Sequence, residues 1–157
     1  FNKSVELAWE VNSSEEVTSK EKLLNVYFIF FENMTMNRSL ILMILGNDKR
    51  HSAKISAQLK EAHRDFIKTL DFNDLEVINK AKEDVKSFHE KAREEALWLH
   101  LVSAIEFWKK DISPAFEKTD IFIEKSVDTG FELMDNAQLR KLTDLGKFLF
   151  KETFKKS

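Results

Sequence analysis

The sequence contains no cysteine, one proline and three glycines in 157 residues. Without cysteine there is no disulfide framework, no thiolate metal site and no thiol nucleophile. So few glycines and prolines exclude turn-rich β architectures, whose hairpins need special backbone angles at many positions. The glycines are also too scattered to build a phosphate-cradling loop. A surplus of one charge is missing too. The net charge is −2 and acidic and basic residues are interspersed, so the chain carries no electrostatic footprint for nucleic acid. The longest apolar runs, Val26 to Phe31 and Leu40 to Leu45, are far too short to span a bilayer. No basic stretch followed by an apolar one opens the chain at Phe1 as in a secretory leader. The expectation is a soluble, cytoplasmic segment with no membrane partner and with some sequence preceding it.

What the chain has is apolar material at helical spacing. Apolar residues make up 43% and charged residues 33%, too apolar for disorder, and fourteen phenylalanines share the core with leucine. Ser4 to Val11 is a short amphipathic segment, with Val5, Ala8, Trp9 and Asn12 on one side; it reads as the tail of a longer helix. Residues 12–16 are the expected loop. Thr18-Ser19-Lys20-Glu21 matches a capping box and opens a helix that is apolar nearly all round. A strand is the competing reading of Val26 to Phe31 by propensity, but the cap and the flanking sequence favour helix. A kink is expected near Met34 to Asn37, then a short helix from Arg38 to Leu45 stopped by Gly46 and Asn47. Ser52 begins an amphipathic helix carrying Ile55, Leu59, Ala62, Phe66 and Leu70, ended by a turn at Asp71 to Asn73.

Asn73 to Glu76 repeats a capping pattern. From Leu75 to Lys110 there is no glycine or proline, which allows one long helix or two with a break near Asp84 to Ser87. Ala96 to Trp108 is apolar on nearly every face and is the expected central helix. In Asp111-Ile112-Ser113-Pro114, serine suits an N-cap and proline the first helical position, so a helix should begin at Ala115 and run to about Met134. Asn136 should cap the last helix, which begins at Ala137 with a stripe of Leu139, Leu142, Leu145, Leu149 and Phe150. The fold class is all-α, about six to eight helices in one domain spanning 1–157, with no repeats and no internal boundary.

A search for chemistry returns little. There is no Glu-x-x-His, no His-Glu-x-x-His and no nucleophile elbow, so no enzymatic activity, metal or cofactor is expected. His51, His63 and His89 sit among charges and are expected at the surface. His100, inside Trp98-Leu99-His100-Leu101-Val102, is expected to be a core histidine bonded to a backbone carbonyl, or else a polar group fixing a ligand in an apolar pocket. Glu106 raises the same question of a buried carboxylate in need of a partner. Tyr27, Phe28, Phe30, Phe31, Phe66, Phe88, Trp98, Phe107 and Trp108 should surround the core. Plain packing accounts for most of them. Aromatic rings with Met34, Met36 and Met43 beside them also leave room for an internal apolar pocket. Gly130 and Gly146 fall inside expected helices, where either close helix–helix approach, within the subunit or across a dimer, or merely tolerated drift would explain them. The last two helices have apolar faces wider than one intramolecular neighbour needs, and two from each of two subunits would form a four-helix bundle.

The layout resembles the C-terminal ligand-binding and dimerisation domain of TetR-type transcriptional regulators. The resemblance rests on the entering helix, on the aromatic helix leading into Glu32-Asn33-Met34-Thr35-Met36-Asn37-Arg38-Ser39, on the central apolar helix and on two closing helices. The segment from Phe107 to Pro114 and on through Thr119 to Ile123, with Trp108, Asp111, Ser113, Thr119 and Phe122, is similar to a stretch of the TetR-like lipid-binding proteins of coenzyme Q biosynthesis and of a bacterial subgroup of TetR-type regulators. The resemblance implies a homodimer holding a hydrophobic effector. Phe28, Phe31, Phe66, Trp98, His100 and Trp108 are the candidate ligand-binding residues, and Ile123, Val127, Phe131, Leu142, Leu145 and Leu149 the candidate dimer interface. It also implies that DNA is reached only through an N-terminal helix-turn-helix absent from this sequence, with residues 1–12 as the tail of a connecting helix. The alternative is a stand-alone TetR-like lipid- or isoprenoid-binding protein with no DNA role; a small helical enzyme would need Glu106 or His100 to act on the pocket's occupant.

Overall fold

A computed structural model describes residues 1–11, 17–47, 49–72 and 83–133. Every regular element among them is helical: α1 (Asn2–Val11), α2 (Ser19–Met36), α3 (Arg38–Asn47), α4 (Lys49–Lys68), α5 (Glu83–Lys110) and α6 (Glu117–Leu133), with a 3₁₀ turn at Pro114–Phe116 before the last. α1 packs along α2, α2 lies against α6, α3 against α4, and α5 touches both α4 and α6. The closing helix expected after Asn136 and the second capping pattern at Asn73 lie outside the described residues.

The capping box forms as the sequence predicts. Thr18 is extended, its hydroxyl accepts from the Glu21 N–H, and the Glu21 carboxylate accepts from the Thr18 N–H at 2.8 Å. The helix it opens buries Leu23, Val26, Tyr27, Phe30, Phe31 and Met34, while Leu24, Phe28 and Ile29 are half-buried against the same core. That two-sided burial is why its apolar residues do not follow a single stripe. The strand reading of Val26 to Phe31 is excluded. The kink is a full break at Asn37, whose side chain donates to the Asn33 carbonyl, and α2 and α3 meet there at 87°. No single described helix is long and apolar enough to cross a membrane.

α5 is continuous from Glu83 to Lys110, through Asp84 to Ser87; the part of the Leu75 to Lys110 stretch before Glu83 lies outside the described residues. Leu97, Trp98, Leu101, Ala104 and Trp108 face the core, but Leu99 and Phe107 face out. Glu106 is also outside, paired with Lys109 at 2.8 Å, which answers the question of a buried carboxylate.

The start of α6 departs from expectation. Ala115 and Phe116 have positive φ, 51° and 59°, so Pro114 opens a 3₁₀ turn and the regular helix begins at Glu117. The cap of α6 is Asp111, further upstream. Its carboxylate accepts from the Thr119 N–H at 2.9 Å and from the Thr119 hydroxyl at 2.6 Å, and also from the N–H and hydroxyl of Ser113 at 2.8 and 2.7 Å. Ser113 in turn accepts from the Lys118 N–H at 3.1 Å. The chain thus loops over Asp111, and that loop requires the left-handed angles at Ala115 and Phe116.

Candidate functional site

An apolar cavity of about 470 Å³ lies between the start of α1 and helices α2 to α5. Phe30 and Met34 come from α2, Ile41 and Leu45 from α3, Ile55, Gln58, Leu59 and Ala62 from α4, and Ile105 from α5. Phe1, Asn2 and Lys3 complete its wall. Its size falls within the usual range for small-molecule sites, about 300–1,000 Å³, and its mostly apolar lining with few polar groups is the usual composition. The break at Asn37 creates it, because the turn into α3 swings Ile41 and Leu45 back across Phe30 and Met34.

Next to this cavity is a buried polar cluster in an aromatic setting. His63 is 1% exposed, against the expectation of a surface residue. The correction has a plain reason: His63 follows Leu59 by four residues and precedes Phe66 by three, so it lies on the apolar stripe of α4, and the charges around it in sequence are on the other face. The Tyr27 hydroxyl lies 2.8 Å from His63 Nε2 and 3.4 Å from the Leu97 carbonyl oxygen. The rings of Phe1, Tyr27 and Trp98 surround the imidazole at 5.6 to 6.0 Å. Burial, and to a smaller degree the neighbouring His100, lower the His63 pKa to about 4, so the imidazole is neutral at physiological pH. Burial also raises the Tyr27 phenol well above its ordinary range.

His100 bonds to a side chain rather than a backbone carbonyl. Its Nε2 lies 2.6 Å from Ser126 Oγ on α6, and its ring stacks between Tyr27 and Phe122. Burial lowers its pKa as well.

At the far end of α5 the chain is held by Arg38. The guanidinium donates to the carbonyls of Trp108, Lys109 and Asp111 at 2.8, 3.0 and 3.3 Å, supplying partners for the last carbonyls of that helix. It also lies 4.6 Å from the ring centre of Trp108 and 4.7 Å from that of Phe116. The Trp108 indole N–H donates to Thr35 at 2.9 Å. Beside these residues is a second, smaller cavity of about 320 Å³, lined by Phe28, Phe31, Glu32 and Asp120 among others. A third, open groove of about 640 Å³ runs along α6, with Phe107, Ile121, Phe122 and Leu133 on its walls.

The structure therefore distributes the six candidate ligand residues over three places. Phe28, Phe31 and Trp108 line the cavity beside Arg38. Phe66 and Trp98 belong to the rings around Phe1 and His63. His100 faces Ser126. None of the six lines the interhelical cavity of about 470 Å³; of its walls the sequence named Met34 for a pocket, Phe30 for the core and Ile55, Leu59 and Ala62 as a helical stripe, and the signal that could have joined them is that stripe facing the apolar run of α3. Of the candidate interface residues, Ile123 and Val127 are buried within the subunit and Phe131 is half-buried. Leu142, Leu145 and Leu149 lie outside the described residues, as does Gly146. Gly130 has no described atom within 4 Å of the place a Cβ would take, so no close helix approach is found there among the described residues.

These elements make an all-helical bundle with an apolar cavity between its helices. Residues 22–149 match the tetracyclin-repressor-like C-terminal domain family, and the chain belongs to that family. The match is to this family as a whole and does not single out the subgroup similar to lipid-binding proteins of coenzyme Q biosynthesis. No curated protein and no solved structure matches the chain.

Proposed function

We propose that this chain is the effector-binding and dimerisation domain of a TetR-type transcriptional regulator, whose DNA-reading helix-turn-helix is carried outside these residues. The observation that supports the reading is the interhelical cavity of about 470 Å³ in a chain of this family. Its occupant is a hydrophobic small molecule. α1 contributes to the cavity wall at its first residues, so a ligand that prefers one placement of α1 against α2 to α4 would bias whatever is joined to α1. A ligand can shift an equilibrium only by its difference in affinity for the two states.

Dimerisation is assigned to the segment containing Leu142, Leu145 and Leu149, together with the outward side of α6, where Ile121 and Leu133 are exposed. Native mass spectrometry of the chain purified without denaturant tests both parts. A subunit pair retaining a small apolar adduct supports the reading, and a bare monomer contradicts it. In sedimentation, Leu142→Glu with Leu149→Glu is expected to give monomers; a persisting dimer places the interface elsewhere.

A further inference from the structure

The charge on the wall of the interhelical cavity is one-sided. Lys3 is the single charged residue among the described residues that line it, and the other polar side chains there, Asn2 and Gln58, are uncharged amides. All three are exposed, so they stand where the cavity meets water, whereas Phe30 and Met34 within it are buried and apolar. The start of α1, which carries Asn2 and Lys3, is seated against α4, with the Phe1 ring 5.6 Å from that of His63 and 5.9 Å from that of Phe66. Lys3 is paired with Glu6 at 3.0 Å, but both side chains are exposed, and such pairs hold their partners weakly. Its ammonium is therefore free to turn to an anion at the cavity mouth. An anion drawn wholly into the apolar interior would be costly, but one held at the exposed rim keeps part of its water.

We propose that this cavity takes an amphiphilic monocarboxylate, an alkyl acid whose tail lies between α2, α3 and α4 and whose carboxylate is held at the mouth by Lys3. The ammonium donates to the carboxylate, and the amide groups of Asn2 and Gln58 are further donors on the same wall. One cation balances one negative charge, which favours a monoanion over a phosphate dianion. The proposal rests on the effector-cavity reading above and adds the ligand's chemical class, its orientation and the residue that selects it. Because the head group is held from α1 and the tail from α2 to α4, an occupied cavity fixes α1 against those helices.

The test is calorimetric titration at pH 7 with octanoate, 1-octanol and octylamine, which share a tail and differ in head-group charge. The wild-type chain is expected to bind octanoate more tightly than octylamine. Lys3→Gln should weaken octanoate by about fivefold, the upper end for an exposed ion pair, and leave 1-octanol unchanged. Lys3→Glu should reverse the order of octanoate and octylamine. Lys3 is exposed, so neither substitution threatens the fold. Tighter binding of octylamine by the wild type, or octanoate affinity that is unchanged in Lys3→Gln or falls no more than that of 1-octanol, overturns the proposal and leaves the effector cavity in place. Octanoate binding that Leu59→Trp does not weaken, or binding of none of the three by the wild type, overturns both.

Discussion

Removing the Asp111 carboxylate should destabilise the junction between α5 and α6 more than any ordinary surface substitution. Four donors converge on it, at 2.6 to 2.9 Å, and Asp111 and Thr119 are both buried. Hydrogen bonds to a charged acceptor contribute about 1.5–3 kcal/mol each, and a buried donor left without a partner costs about 1–3 kcal/mol. The four share one acceptor and are not additive, and the two Ser113 donors, only half-buried, can turn to water. Asp111→Ala is therefore expected to cost about 3–5 kcal/mol, mostly from Thr119, which for a chain of this size lowers Tm by about 10 °C. Asp111→Asn keeps one acceptor oxygen but turns an NH₂ group toward donors, and should fall between. The pH dependence has a definite sign. Burial alone would raise the carboxyl's pKa, but donation from Thr119 and Ser113 outweighs it and holds it at about 2, below the ordinary 3.8. Its contribution is complete above pH 3.8 and is lost as pH falls toward 2. Thermal unfolding followed by circular dichroism at pH 7 and across the acid range checks both statements. A Tm drop below about 3 °C in Asp111→Ala would refute the assignment of the cap to this carboxylate.

The neutral His63 gives a second acid limb. Its folded pKa of about 4 lies below the ordinary 6.5, so the unfolded chain binds a proton first and stability should fall as pH drops from 6.5 toward 4. In His63→Phe, urea midpoints should lose the His63 part of that slope and keep the part due to His100, whose pKa burial also lowers; an unchanged slope would place the titrating group elsewhere. Arg38→Lys keeps the charge but not the planar fork that reaches three carbonyls and lies against two rings. It should cost about 2–3 kcal/mol in urea unfolding, and a loss within about 0.5 kcal/mol would mean the end of α5 does not depend on it.

Much of the fold was legible because its signals are local. Thr18 and Glu21 announce a helix start by side-chain chemistry alone, and Ile55, Leu59, Ala62 and Phe66 announce a helical face by spacing. The break at Asn37 was foreseen in place, since Asn33 to Asn37 holds the polar side chains that compete with the helix backbone. What was not legible depends on partners distant in sequence. Arg38 meets the carbonyls of Trp108 to Asp111 some seventy residues away, and no spacing rule connects them. Pro114 looked like a first helical residue because Ser113 before it suits an N-cap, whereas the regular helix starts at Glu117, with Asp111 reaching forward to Thr119. His63 was misplaced by its immediate neighbours, Lys60, Glu61, Arg64 and Asp65, although its offset from Leu59 and Phe66 puts it inside. The candidate ligand residues were selected as aromatic. The interhelical cavity takes aliphatic side chains from α3 and α4, and the α3 ones come to face Phe30 and Met34 because α2 and α3 meet at 87°.

The most direct test of the effector cavity is fluorescence titration with N-phenyl-1-naphthylamine, an apolar probe that brightens out of water. The wild-type chain should show saturable binding. Leu59→Trp, which fills the cavity between α3 and α4 with an indole, should weaken it by about tenfold or more while leaving the helical circular dichroism unchanged. Equal affinity in the two proteins would mean that the probe binds elsewhere and that this cavity is not the effector site.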